Sequence, residues 1–89
     1  MHRSCMPRFL VESYVAESTA AFDDARERAR LTAERGEGVV YVESTYVPGD
    51  QTVLHLFDAP SVEVLEEAGR CSGLLFERIV EAVNERSST

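Results

Sequence analysis

Apolar and polar residues alternate or recur in a way that divides the chain into six elements. From Phe9 to Val15 (FLVESYV), Phe9, Val11, Ser13 and Val15 fall on one side, with Leu10, Glu12 and Tyr14 on the other. Aromatic and β-branched residues in so short a run predict a strand. Ser18 is placed to cap the next segment, and Asp23 and Asp24 near its start suit the positive end of a helix dipole. Phe22, Ala25, Ala29 and Ala33 then recur at helical spacing as a narrow stripe of mostly small side chains, and Gly36 and Gly38 close the helix. Val39 to Val47 (VVYVESTYV) is the most β-prone run, and Pro48-Gly49-Asp50 turns it back into Gln51 to Asp58 (QTVLHLFD) as a hairpin. Pro60 and Ser61 open a second helix, with Ser61 as N-cap and Glu63 in the first turn. Val64, Leu65, Ala68, Cys71 and Leu75 line one side of it and Gly73 stops it. Arg78 to Val83 is a short last strand.

The order β-α-β-β-α-β is that of an α+β, ferredoxin-like sandwich. Such a four-stranded antiparallel sheet runs 4-1-3-2, with both helices on one face, and the other face needs a cover. Residues 1–7 read as a flexible leader, 8–84 as the domain and 85–89 as a polar tail.

Side-chain parity assigns the two faces, because neighbours in a strand point to opposite sides. Phe9 and Val11, with Val40, Val42, Ser44, Tyr46, Leu54 and Leu56, suit the helix-packed core. Glu12, Tyr14, Tyr41, Glu43, Thr45, Val53, His55 and Phe57 are then expected on the uncovered face. With Pro48-Gly49-Asp50 as the loop, Val47 faces Gln51 and Glu43 faces His55, with Glu12 approaching from the first strand. This Glu–His–Glu row is the one constellation suited to chemistry. It reads in three ways: a polar patch at a subunit interface, a divalent-metal site, or a histidine base tuned by carboxylates. Imidazole with carboxylate oxygens suits nickel, zinc and similar borderline ions. As a base, His55 would have its pKa raised by Glu43.

Composition narrows the partners. Sixteen acidic residues against nine basic ones give a net charge of −7 over 89 residues. Such a surface repels phosphate, which disfavours nucleic acid and anionic membranes. No apolar run reaches the length of a membrane helix, and the first ten residues lack the pattern of a secretory signal, so the cytoplasm is the expected compartment. Cys5 and Cys71 are too few for a disulfide framework. Cys71 lies on the apolar stripe of the second helix and is expected to be buried and inert. His2 and Cys5 form an H-x-x-C of metal-compatible spacing near the terminus. No phosphate-binding glycine loop, nucleophile elbow or CxxC pair is present.

The stretches MPRFLVESY (Met6 to Tyr14) and Val40 to Val83 carry a family likeness. The matching residues are Phe9 to Glu12, Glu43 to Val47, Phe57 to Ser61, Gly73, Leu74, Arg78 and Ile79. With them the chain resembles a family of small actinobacterial domains of unknown function that includes a nickel-binding protein with a dimeric ferredoxin-like fold. The resemblance implies the fold, a homodimer of the dimeric α/β-barrel type and, by extension, nickel. It departs from this chain at two positions: members often carry Cys where His55 stands and His where Glu43 stands. The leading expectation is therefore a non-enzymatic metal-binding or metal-responsive homodimer, with His55, Glu43 and Glu12 as ligands. The alternative is a cofactorless dimeric α/β-barrel enzyme of monooxygenase, isomerase or cyclase type, with His55 as base and Tyr14 and Tyr41 lining its pocket. A closed apolar surrounding of His55 favours the enzyme, and an exposed His55 beside two carboxylates favours metal.

Overall fold

The structure is a computed structural model and is described here for residues 7–15 and 19–82. The expected leader through Met6, the expected cap Ser18, the end of the last strand at Val83 and the tail lie outside these residues, as do His2 and Cys5. The elements are β1 (Arg8–Tyr14), α1 (Thr19–Arg35), β2 (Val40–Val47), β3 (Thr52–Asp58), α2 (Val62–Ser72) and β4 (Arg78–Ala82). All strands pair antiparallel in the order β2-β3-β1-β4, the ferredoxin-like arrangement, with β3 and β1 at the centre.

Local chemistry explains the helix ends. Ser61 has extended backbone and its hydroxyl accepts from the Val64 N–H at 3.3 Å, satisfying one of the orphan donors of the first turn of α2. Gly73 ends α2 at φ 77°, a left-handed cap that only glycine adopts at little cost, and its N–H is returned to Arg70 and Gly69 carbonyls. The first turn of α1 holds no acidic residue; Asp23 and Asp24 fall a turn later and pair with Arg26 and Arg28 at 3.7 Å each. Between the helices, the buried Thr32 and Ser72 hydroxyls meet at 2.6 Å, and each lies 2.9 Å from a carbonyl one turn back in its own helix, so that one donates across the seam and the other to its carbonyl. Both hydroxyls are thereby satisfied inside an otherwise apolar seam.

The core has two parts. Phe9, Val11, Ala29, Val39, Phe57, Ala59, Leu65 and Leu74 form the larger; Val15, Ala25 and Val53, with Ala21, Phe22 and Tyr46 against them, form the smaller. The small-residue stripe of α1 lets the helix approach the sheet closely enough to bury Ala29 completely.

Two details of the hairpin overturn the expected assignment of faces. The connection is four residues long: Pro48–Asp50 form a 3-10 turn and Gln51 follows at φ 51°, so Val47 pairs with Thr52 rather than with Gln51. Val42 also interrupts the β2–β3 ladder as a bulge between the pairs Tyr41–Phe57 and Glu43–Leu56. A one-residue slip carries every following side chain to the other face. Val53, His55 and Phe57 therefore point into the core, at 0% exposure, joined by Tyr41, Ser44 and Tyr46. Leu54 and Leu56, expected inside, lie on the uncovered face with Leu10 and Val80. Val40 and Val42, also expected inside, are exposed.

Candidate functional site

On the helix-facing side, one row of the sheet reads Ser44, His55, Val11, Ile79 across β2, β3, β1 and β4. The Ser44 hydroxyl lies 2.7 Å from His55 Nδ1, and the Tyr41 hydroxyl lies 2.6 Å from Ser44 Oγ. Tyr41 reaches Ser44 from three residues upstream because the bulge at Val42 puts both on the same face. The Phe57 ring stands at 60° to the imidazole, with 6.5 Å between centroids. Burial lowers the His55 pKa from 6.5 to about 4, so the ring is neutral near pH 7. This reverses the expected rise, whose cause, a facing Glu43, is missing. His55 Nε2 is buried and has no hydrogen-bond partner among the described residues; the same is true of the Tyr46 hydroxyl. Tyr46 sits on the same face opposite Val53, its ring stacked on Phe22 with 5.3 Å between centroids.

The three expected metal ligands are not brought together within one protomer. Glu43 pairs with Leu56 and Glu12 with Leu54, so both carboxylates point away from His55 on the opposite face of the sheet. Glu12 instead pairs with Arg78 Nε at 3.2 Å. Among the described residues no group of three or more His, Cys, Asp or Glu side chains is arranged to hold a metal ion. Of the two tyrosines expected beside His55, Tyr41 reaches it through Ser44, whereas Tyr14 is exposed and bonds Gln51 Oε1 at 2.6 Å. Cys71 was expected to be buried. It is exposed, because the inward side of α2 is Leu65, Ala68, Gly69 and Ser72, one step round the helix. Ser44 and Tyr46 were legible as core-facing residues, but the link of Ser44 to His55 was hidden by placing the imidazole on the other side.

A cleft of about 330 Å³ opens between the first half of α1, the end of β1 and the segment after α2. Its walls include Val15, Ala25 and Leu74, with Ser13, Asp24 and Arg28 as polar groups. The Ser13 hydroxyl donates to the Leu75 carbonyl at 2.7 Å, fixing the chain after α2 against β1. Val15 and Ala25 belong to the same small cluster as Val53, against which Tyr46 also packs. Val53 is also the neighbour of His55 along the inner face of β3.

These features define the class: a two-layer ferredoxin-like α+β domain with a buried polar row under its first helix. Comparison with solved structures agrees. The chain is similar to SCO4226 from Streptomyces coelicolor A3(2), with a TM-score of 0.68 and 20% identity over 88% of this chain and 98% of that one. At that identity the likeness is one of fold. No protein-family model matches the chain, and no curated protein matches it.

Proposed function

We propose that the chain is a small-molecule-binding domain that receives a compact, mainly apolar ligand through the cleft beside α1 and presents neutral His55 to the ligand's acidic proton or polar end. The observation that carries the reading is the pair of buried, unpartnered atoms, His55 Nε2 and the Tyr46 hydroxyl, on the face of the sheet whose Val15–Ala25–Val53 cluster supplies two walls of the cleft. A buried polar atom without a partner costs about 1–3 kcal/mol, and a ligand that supplies the partner recovers it. The cleft volume falls within the ~300–1,000 Å³ usual for small-molecule sites. The Ser–Tyr relay occupies Nδ1 and leaves Nε2 as the ring nitrogen open to a ligand. The geometry suits the cofactor-independent enzyme reading, with His55 as a proton acceptor whose basicity a ligand that opens its surroundings would raise. The metal reading has weaker support, since its carboxylates face the other side of the sheet in one protomer.

We further propose that the chain acts as a homodimer through the uncovered face. Leu10, Leu54, Leu56 and Val80 form its apolar part. Four of its charges are paired, Arg8 with Asp58 at 2.8 and 3.1 Å and Glu12 with Arg78, while Glu43 stands on the β2 edge strand. A second copy of such a face brings apolar surface with most charges matched, and Glu43 on the edge strand falls at the rim, where a charge stays in water.

The function is tested by titrating p-cresol, then nickel chloride, into protein carrying ¹⁵N-labelled histidine. p-Cresol is expected to shift the His55 Nε2 resonance and the Val15 and Val53 methyl signals saturably. Absence of those shifts overturns the reading. Nickel broadening that involves His55, Glu43 and Glu12 together would restore the metal site instead.

A further inference from the structure

We infer that the ligand of the cleft carries an anionic group, a carboxylate or its equivalent, which binds the guanidinium of Arg28; this rests on the cleft being the binding site. Arg28 is the cation of the cleft wall, and its own contacts are loose. Nη1 donates to the Ser72 carbonyl at 3.4 Å, Nε lies 3.7 Å from Asp24 Oδ1, and Nη2 has no hydrogen bond among the described residues. A guanidinium offers five N–H donors in a planar fork that matches a carboxylate bidentately. Here most of that capacity is unspent.

The fold makes room for the group. Gly73, the left-handed cap of α2, borders the same cleft. A Cβ at that position would lie 2.8 Å from Arg28 Nη1 and push the guanidinium away. The carbonyl end of α2 in turn favours a cation at this spot. Asp24 is the competing anion. It lines the same cleft, is 69% exposed and meets Arg28 only at 3.7 Å, so a ligand carboxylate at shorter range displaces it into solvent. The apolar walls Val15, Ala25 and Leu74 then hold the body of the ligand inward of the charge. The cleft thus combines one cation with apolar walls, which fits an amphiphilic acid.

The discriminating probes are 4-hydroxyphenylacetate and its uncharged isostere 4-hydroxyphenylacetamide, titrated into the full chain and into Arg28→Met and Arg28→Lys and followed by amide and methyl NMR. The native chain is expected to bind the acid about tenfold more tightly than the amide, with shifts at Arg28 and Gly73. Arg28→Met is expected to abolish the preference and Arg28→Lys to retain part of it. Equal affinity of the native chain for both probes overturns the anion inference and leaves the binding reading standing. A preference for the acid that persists in Arg28→Met also overturns it, since another group then reads the charge. Failure of both probes, and of p-cresol, to bind removes the cleft as a site and the inference with it.

Discussion

A fully buried imidazole couples the stability of this domain to pH. The folded pKa of His55 is about 4, below the ordinary 6.5, because burial disfavours the charged ring. Between those values the unfolded chain binds a proton at this residue and the folded chain does not, so stability falls as the pH drops from about 6.5 towards 4. The loss amounts to ~3 kcal/mol at one proton per molecule. Carboxylates titrate at the lower end of the same range, so the measurement is a difference: urea unfolding from pH 7.5 to 4.5 for the native chain and for His55→Asn, which keeps an amide near Ser44. The native chain is expected to lose stability more steeply. Parallel curves would show that His55 titrates as it does in the unfolded state.

At the scale of elements, the caps of α2 were legible because Ser61 and Gly73 each have one physical job that few residues do. The inner face of β3 was not legible. Val53, His55 and Phe57 alternate with Leu54 and Leu56, both sets are apolar enough for a core, and the polar ring invited the outward assignment. What decides the matter is the length of the turn, and Pro48-Gly49-Asp50 looked complete without Gln51. The left-handed residue of the connection is Gln51, whereas Gly49 lies in the 3-10 turn with open space where a Cβ would stand. Gly49→Ala is therefore expected to raise stability by ~0.5 kcal/mol through the unfolded chain, where a glycine at a left-handed position would have made it destabilising. Chemical denaturation of the two chains decides between these signs.

For the whole molecule, strand order and helix placement followed from the sequence of elements, because short connections and helix-to-sheet packing leave few alternatives to β2-β3-β1-β4. The proposed site did not follow, since it depends on which side of a strand one histidine occupies. Only one face of the sheet is covered by helices, and the molecule is 17 Å through its thinnest axis, two layers deep. Burial of the open face against a second copy is expected to give a dimer by light scattering at micromolar concentration. A charge in its middle, Leu56→Glu, is expected to give a monomer that keeps the native circular dichroism spectrum. A native chain that scatters as a monomer would leave that face to solvent.

The bulge at Val42 has a consequence beyond register. β2 is an edge strand, and the hairpin gives it a row of backbone groups free to recruit a further strand. An unbroken β-prone edge carrying Val40, Val42 and Tyr46 would be a template for sheet growth between molecules. By interrupting the ladder after its first two pairs, the extra residue shortens the regular stretch of that edge to Glu43–Val47. The same irregularity that turns Tyr41 and Ser44 towards the histidine thus also shortens the edge on which a further strand could pair.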